Sequence, residues 1–538
     1  MKMTAARALA LGFALLFAVP AAADPDAEAR IEADVAFLAD DALEGRGTGQ
    51  RGYDLAALYV QTRMQAVGLR PGGHEGGWRQ PFTVARIGIA EEGAALAWTP
   101  AGGEPLTWRN GQDALFGVGR EAGRVVQPGG LVFVGFGIDA PELGMSDYAG
   151  LDVAGKIVVF LSGAPVGTEP AIAERLEAGK ARMAEAHGAV GTVTVNTTAS
   201  ASRYTDALLR RFAGRTESLW VGPDGTPRRQ APGIRATAFL GDAAAETLFA
   251  GAPRAYADIR AEAAVAGGRP AGFALAGEAV FDVHTRRQDL ATANVIGLIE
   301  GSDPVLKAEY VIMTAHLDHL GISGSGTDRI NNGALDNAGG VAAMLEAARM
   351  LAQDPPRRSV LVVALSAEEM GLLGSDYLAR FPVTTGVVAN VNLDMPILTY
   401  DFTDVVAFGA EHSTMGPLVD VAARTEDVSL SPDPMPEQNV FTRSDHYSFV
   451  QAGIPSVMLA TGYANGGEAA WGQFFANGYH KPNDDLSTPF NWSAAARFAR
   501  VNAAIARAIA DAERAPLWYE GNPYGDRFAP DAARAPAP

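Results

Sequence analysis

The chain has 538 residues, of which 48% are hydrophobic and 20% charged, a composition ordinary for a soluble globular protein. Its length exceeds what one hydrophobic core usually serves, so two folded units are expected. The formal net charge of −19 excludes the basic surface that nucleic acids and anionic membranes require, and the absence of cysteine leaves only nitrogen and oxygen donors for any metal.

The first residues show the three-part pattern of a secretory signal. Lys2 and Arg7 precede a mostly apolar run over 8–19, and small residues follow up to Ala23. We predict a signal peptide over residues 1–23 and a periplasmic or secreted protein, because the apolar run is short for a membrane span. An uncleaved anchor is the alternative. Cleavage would leave 41 basic and 62 acidic residues, a formal charge of −21 with no stable membrane anchor and no cysteine for a lipid.

Hydrophobic patterning divides the mature chain into a main domain and an insertion. After about residue 290, short apolar strands alternate with helical stretches, which predicts an α/β fold with a mainly parallel central sheet flanked by helices. The middle block, rich in strands such as GLVFVGFGI and GKIVVFL, contains none of the acid and histidine clusters described below. We therefore predict a main domain over 24–118 and 269–515, an inserted β-rich α+β domain over 119–268 and a loose tail over 516–538.

Three predicted strands of the main domain end in residues that could bind a metal. The strand YVIMTA leads to His316, RSVLVVALSA to the pair Glu368 and Glu369, and VVANVNL to Asp394. In open α/β sheets, functional groups collect beyond the carboxyl ends of the strands. The sequence therefore predicts that these side chains lie close together.

Two further residues join this predicted cluster from other segments. Asp336 opens the helical pattern DNAGGVAAMLEAARML, where an acid could instead cap the helix. His480 lies in the Gly/Pro/Asn-rich loop that follows the predicted strand IPSVMLAT, so it can reach the same edge of the sheet.

The charge of the cluster indicates two metal ions. Asp336, Glu369 and Asp394 contribute −3, while His316 and His480 are neutral as ligands, and such a cluster repels itself unless cations bind. One divalent ion leaves the site negative, whereas two divalent ions and one hydroxide bring the sum to zero. This suits five ligands shared between two metals, with one bridging carboxylate.

Glu368 then remains free to handle protons. Adjacent residues at a strand end point in different directions, so Glu369 can bind metal while Glu368 faces a bridging water. Two metals about 3.5–4 Å apart activate water and polarise a carbonyl, and a general base takes the proton. The predicted reaction is hydrolysis of an amide.

Three neighbouring residues receive secondary predictions. Asp318 is the natural acceptor for the imidazole of His316, and a solvated loop acid is the alternative. Tyr479 could donate a hydrogen bond to a developing oxyanion, or could merely pack. His319 is left out of the predicted ligand set.

The ordered motifs TAHLDHLG, GALDNAGG, SAEEMGLLGS, NLDM, FTRSDHYSFVQAGIPS and YHKPNDD resemble the co-catalytic di-zinc aminopeptidases, a family that includes glutamate carboxypeptidases. The resemblance implies His316 and Asp394 on one zinc, Glu369 and His480 on the other, and a bridging Asp336. It also implies that Glu368 is the general base.

Further residues outside this ligand set carry parts of the resemblance. It implies an oxyanion role for Tyr479 and a substrate role for Arg443, for which pairing with Asp445 is the alternative. The middle block, with DYAGLDVAGKIVVFL and AHGAVGTVTV, resembles a protease-associated domain. Some secreted members have a disulfide near the last histidine, which this chain lacks.

The leading hypothesis is an exopeptidase that binds two Zn²⁺ ions, or other divalent ions, and removes N-terminal residues from peptides with a free N-terminus. A carboxylate-rich site favours an ammonium group on the substrate. A carboxypeptidase is the enzymatic alternative, and Arg443 is its candidate carboxylate ligand. A binding protein on a peptidase scaffold is disfavoured because all five ligands and Glu368 are present.

Overall fold

The structure is a computed structural model that describes residues 25–118, 122–324 and 326–538, so the predicted signal peptide lies outside the described residues. Among these residues no helix is both long and apolar enough to cross a membrane. The helices are α1 (Pro25–Leu38), α2 (Arg51–Ala66), α3 (Pro170–Ala186), α4 (Asp206–Phe212), α5 (Asp242–Leu248), α6 (Tyr256–Ala263), α7 (Gly339–Gln353), α8 (Leu373–Arg380), α9 (Met415–Arg424), α10 (His446–Gln451), α11 (Gly467–Asn477), α12 (Trp492–Asp511) and α13 (Pro523–Phe528).

The strands are β1 (Arg70–Pro71), β2 (Arg79–Pro100), β3 (Leu106–Arg109), β4 (Ala114–Phe116), β5 (Gly123–Phe133), β6 (Asp139–Ala140), β7 (Met145–Ser146), β8 (Ile157–Leu161), β9 (Gly191–Val195), β10 (Thr216–Val221), β11 (Ala236–Leu240), β12 (Phe273–Ile299), β13 (Tyr310–His316), β14 (Gly321–Ile322), β15 (Ile330–Asn331), β16 (Ser359–Leu365), β17 (Val387–Leu393), β18 (Asp404–Phe408), β19 (Ser429–Leu430), β20 (Ser456–Thr461), β21 (Trp518–Tyr519) and β22 (Arg534–Ala535).

One large sheet runs through the molecule, in the order β19-β18-β20-β17-β13-β16-β12-β5-β8-β9-β11-β4. Within the main domain, β13 pairs in parallel with both β16 and β17, and β17 pairs in parallel with β20. The predicted mainly parallel sheet is confirmed, and the carboxyl ends of these four strands share one edge.

Alternating residues of the central strands bury both faces of this sheet. In β13, Val311 and Met313 belong to the core that also contains α1, α2, α7, α9 and α12, whereas Ile312 packs on the opposite face with Leu378 of α8 and Phe449 of α10. Successive side chains of a strand point to opposite faces, so helices on both sides are what these apolar runs require.

A second core lies where the insertion was predicted, but it is larger than residues 119–268. It includes Leu96 and Trp98 from β2 and Phe281 and Val283 from β12, all outside those limits. Strands β2 and β12 pair with each other over most of their length, and β12 continues from this core to Val295 and Ile299 in the main-domain core. The buried residues of this core run from Ala94 to Val283, and we call this segment the second unit. Its assignment as a protease-associated domain stays a prediction.

The end of the chain differs from the loose tail that its composition predicts. Trp518 is buried, its indole Nε1 donates to the carbonyl of Gly453 at 2.9 Å, and β21 pairs with β22. Helix α13 packs against α10. Large aromatic side chains in this otherwise Pro/Ala-rich segment explain why it docks on the main domain.

Candidate metal centre

His316 is the last residue of β13 and lies almost completely buried at the edge where the parallel strands end. Its Nε2 atom is 3.0 Å from Oδ1 of Asp394, which directly follows β17, and 3.3 Å from Oδ1 of Asp336. The other oxygen of Asp394 accepts a hydrogen bond from the hydroxyl of Ser444. One imidazole therefore faces two carboxylates whose orientation is held by neighbouring groups.

Asp336 lies between two groups of possible ligands. Its Oδ2 atom is 3.4 Å from Nε2 of His480, while its Oδ1 atom faces His316. Helix α7 begins at Gly339 with Ala338 at its N-cap and no side-chain cap, so the capping alternative for Asp336 is wrong. Burial disfavours a charged carboxylate, but the neighbouring imidazoles outweigh it and hold the pKa of Asp336 below its usual range.

Glu369 completes the second group. Its Oε2 atom is 3.3 Å from Nε2 of His480, and its Oε1 atom is 2.6 Å from Nδ1 of His319. Burial, reinforced by the charge of Asp336, raises the pKa of Glu369 to about 8. An acid that is held in this environment without a cation costs free energy, which a bound divalent ion would relieve.

The donor set suits divalent metals. His316, Asp336 and Asp394 offer ligand atoms that lie within 4.8 Å of one another, and so do His319, Asp336 and Glu369. The two groups share Asp336, and their donors are the nitrogen and carboxylate oxygen atoms that zinc accepts. All five ligands predicted from the sequence come together at this edge.

His319 is a site residue that the sequence reasoning missed. It is buried and contacts Glu369, and its Nε2 atom has no hydrogen-bond partner among the described residues. Burial lowers the pKa of His319 to about 4, so the ring is neutral near pH 7. Its place in the HLDH motif was the available signal, but motif position alone did not show that the ring turns toward Glu369.

Glu368 stands beside the ligands on a turn that Asp318 holds in place. The amide of Glu368 donates to Oδ1 of Asp318 at 3.1 Å, and the preceding Ala367 has a φ of 58°, in the left-handed region. Burial, together with the charges of Asp394 and Asp445, raises the pKa of Glu368 well above its usual range, although His316 opposes the shift. A raised pKa makes the ionised carboxylate a stronger base, which suits a group that accepts protons.

The carboxylate of Asp318 does not take its predicted place. The Nδ1 atom of His316 faces the backbone carbonyl of Asp318 at 3.1 Å, whereas the carboxylate accepts from the amide of Glu368 and from the hydroxyl of Thr48. The chain turns back after Leu317, and this brings the carbonyl rather than the side chain to the imidazole. Asp318 therefore positions the turn that carries the two glutamates.

A buried cation from the start of the chain, Arg46, supports the loops around the site. Its guanidinium donates to four backbone carbonyls: to Leu317 at 2.9 Å, to Gly333 at 3.0 Å, to Leu38 at 2.6 Å, and to Asn332. Leu317 directly follows His316, and Gly333 precedes the loop of Asp336. One side chain thus ties the two ligand-bearing segments to the N-terminal region.

Two more buried side chains fix the loop of Asp336. The carboxylate of Asp484 accepts from the amides of Leu335 at 2.8 Å and Asp336 at 3.0 Å. The amide group of Asn337 donates to the carbonyl of Leu393, next to Asp394, at 3.0 Å. The ligand segments are therefore cross-linked to one another before any ion binds.

The ligands open into a cavity of about 430 Å³. Glu368, Arg443 and Tyr479 all reach its wall, and its apolar part is formed by Met395, Val406, Phe408, Met458, Trp471 and Phe475. The ring of Tyr479 stacks on that of His480 with centroids 3.9 Å apart. Arg443 is exposed and donates to the carbonyl of Gln438, and its guanidinium forms no ion pair with Asp445 in the described part of the chain.

Residues 294–506 match the family described as peptidase family M28, and this stretch carries all five predicted ligands together with Glu368. This match confirms the family resemblance predicted from the motifs.

Among curated proteins, Aminopeptidase YwaD of Bacillus subtilis is 29% identical over 198 residues, which are 36% of this chain and 39% of that protein. Aminopeptidase NAALADL1 of Mus musculus is 31% identical over 138 residues, 24% of this chain and 17% of that one. The chain thus spans well under half of the length of these relatives.

Among solved structures, the aminopeptidase from Aneurinibacillus sp. strain AM-1 is 21% identical, with a TM-score of 0.49 over 89% of this chain and 92% of that chain.

Proposed function

We propose that the protein is a metal-dependent aminopeptidase. The observation that carries this proposal is the pair of histidine and carboxylate groups that share Asp336 at the wall of an apolar cavity, with Glu368 beside them. The match to peptidase family M28 and the names of the curated aminopeptidases support it.

We assign two Zn²⁺ ions, for which other divalent ions could substitute, to the five ligands. His316 and Asp394 would hold one ion, Glu369 and His480 the other, and Asp336 both. The ions would supply the Lewis acidity that lowers the pKa of water and polarises a peptide carbonyl.

Glu368 is the group that moves protons. It takes a proton from the water that attacks the carbonyl carbon and delivers it to the leaving nitrogen as the C–N bond breaks, so that both products carry their full complement of hydrogen. Tyr479 stays protonated, because burial raises the pKa of its hydroxyl to about 12. It can therefore donate a hydrogen bond to the developing oxyanion.

The lining of the cavity supports a proposal for the substrate. Glu368 adds a negative charge beside a metal centre whose ligands, two ions and one hydroxide sum to zero, and this favours a free α-ammonium group. The apolar wall formed by Met395, Val406, Phe408 and their neighbours suits a large apolar side chain on the N-terminal residue. We expect peptides that begin with leucine, methionine or phenylalanine to be preferred.

A carboxypeptidase is the second candidate, because exposed Arg443 lies in the same wall and could bind a substrate carboxylate. We further propose that the enzyme is exported to the periplasm or secreted, on the basis of the apolar run and small residues within 1–23.

A panel of aminoacyl-arylamides, each assayed beside its N-acetylated twin, tests the reaction class. We expect turnover of the leucine and phenylalanine compounds and loss of turnover on acetylation. Equal hydrolysis of the acetylated compounds, or hydrolysis only of C-terminal residues, would contradict the aminopeptidase assignment.

A further inference from the structure

A second cavity, of about 540 Å³, lies between the second unit and the main domain. Gly371 lines this cavity and also the metal cavity, and the amide of Gly371 donates to the carbonyl of Glu368 at 2.8 Å. The turn that follows the two glutamates thus separates the two cavities and borders both. The two cavities therefore adjoin at Gly371.

The wall of the second cavity is built by direct contacts between the two units. The indole of Trp220, on β10, donates to Oδ2 of Asp376 at 2.7 Å and packs edge-on against Tyr377 of α8. The other oxygen of Asp376 accepts from Nε of Arg380 at 2.7 Å. Both oxygens of this acid are therefore occupied, one by each unit.

The charged side chains that line this cavity leave an excess of positive charge. The lining contains two acids, Glu217 and Asp376, and three arginines, Arg228, Arg229 and Arg380. Arg229 pairs with Glu217 at 2.7 Å, and Arg380 pairs with Asp376.

Arg228 is the remaining arginine of this set. It is exposed, and its guanidinium pairs with no carboxylate within the three described ranges. Arg228 lines the same cavity as Arg380, and its guanidinium carbon lies 5.9 Å from the centroid of the Trp220 ring. This arrangement suits an incoming anion, because an arginine presents a planar set of donors that matches a carboxylate.

We propose that Arg228 and Arg380 bind a carboxylate of the peptide segment downstream of the scissile bond. The inference rests on the proposed aminopeptidase function and extends it, because the second unit then selects substrates. A short peptide has an ammonium group at one end and a carboxylate at the other. The negative metal cavity and the positive second cavity are complementary to those two ends.

The carboxylate could be the C-terminus of a short peptide or an acidic side chain of a longer one. Leucine followed by one to five glycines, each with a free or an amidated C-terminus, tests the first source. Amidated peptides of the same length with one aspartate at each downstream position test the second. Leucine arylamide, which has no downstream carboxylate, reports the chemistry alone.

The substitution Arg228→Gln keeps the size and polarity of the side chain and removes its charge. We expect kcat/KM for the preferred carboxylate-bearing peptide to fall about five- to ten-fold, mainly through KM, while hydrolysis of leucine arylamide is unchanged. Arg211→Gln is the matched control, because Arg211 is exposed on α4 of the second unit and lines neither cavity. Added salt should weaken the preference for the free carboxylate in the parent protein.

Equal kcat/KM for free and amidated peptides at every length, with no effect of an aspartate, would overturn the proposed carboxylate site while arylamide turnover persists. A fall of the same size in arylamide turnover for Arg228→Gln would also overturn it, because the effect would then lie in the chemistry. Absence of arylamide turnover in the parent protein would instead refute the underlying function.

Discussion

Two sets of parallel strands within one sheet end in polar residues, but in the part of the chain that the structure describes only one set forms a candidate metal centre. In the main domain, the strand ends bring His316, Glu369 and Asp394 together with Asp336. In the second unit, Ser162 and Asn196 follow the ends of β8 and β9, and Asp242 follows β11. The same topology therefore presents polar groups at both places.

The two sets of strand ends differ in the hydrogen-bond and ion-pair partners of their polar side chains. In the second unit, Asn196 donates to Oδ1 of Asp242 at 2.7 Å, and Arg260 donates to Oδ2 at 2.9 Å. Ser200 accepts from Ser162 and donates to the oxygen of the Asn196 side chain. These side chains bond to one another, and the one acid among them, Asp242, is paired with Arg260.

The main-domain cluster has more negative charge than its protein partners balance. Three carboxylates face imidazoles there. Arg46 is a buried cation nearby, but its guanidinium donates to backbone carbonyls and not to these carboxylates. A surplus of buried acid, rather than the strand ends themselves, thus marks the functional edge.

Loss of the general base should give the largest effect. We expect Glu368→Gln to lower kcat by a factor of about 10²–10⁴, because the proton acceptor is lost while the five ligands stay. Metal content, measured on the purified variant, should equal that of the parent. Glu369→Gln is the matched comparison, since it should lose metal as well as activity. Activity of Glu368→Gln within a few-fold of the parent would assign the base elsewhere.

Loss of the buried arginine should mainly reduce stability. Arg46→Leu leaves the carbonyls of Leu38, Leu317, Asn332 and Gly333 without their donor, and each unsatisfied buried carbonyl costs about 1–3 kcal/mol. We expect the free energy of unfolding to fall by about 3–5 kcal/mol, measured by urea denaturation. Arg424→Gln, an exposed change on α9, is the control and should stay within about 0.5 kcal/mol of the parent. A similar stability for both variants would show that Arg46 does not tie the loops together.

The smallest effect is expected from the closed network of the second unit. Asp242→Asn removes the ion pair with Arg260 but leaves an oxygen for Asn196, so the free energy of unfolding should fall by only about 1 kcal/mol. Metal content and kcat for leucine arylamide should be unchanged. Loss of bound metal in Asp242→Asn would contradict the assignment of the metal centre to the main-domain strand ends alone.

The ligands could be predicted from the sequence because each follows a short apolar strand or a recognisable loop motif. His316 and Asp394 end buried strands, and strand ends converge by topology alone. Arg46, in contrast, contacts Leu317 and Gly333, which are 271 and 287 positions away, through their backbone carbonyls. Every residue has a backbone carbonyl, so a pattern of side chains in the sequence does not predict such contacts.

The limits of the second unit escaped prediction for a related reason. Strand β12 contributes to both cores as one continuous strand, and β2 pairs with it over most of its length, so their patterns show no boundary. The contact between His316 and Asp318 could not be predicted in detail either. The orientation of a single peptide group determines whether the carbonyl or the carboxylate of Asp318 faces the imidazole.

Titration of metal-free protein with zinc tests the central assignment most directly. Leucine arylamide turnover and the melting temperature would be followed at each ratio of metal to protein. We predict an inactive metal-free protein with a lowered melting temperature, and full activity at two ions per chain, because bound metal offsets the acid cluster of the native state. Full activity and an unchanged melting temperature in protein shown to be metal-free would contradict the account.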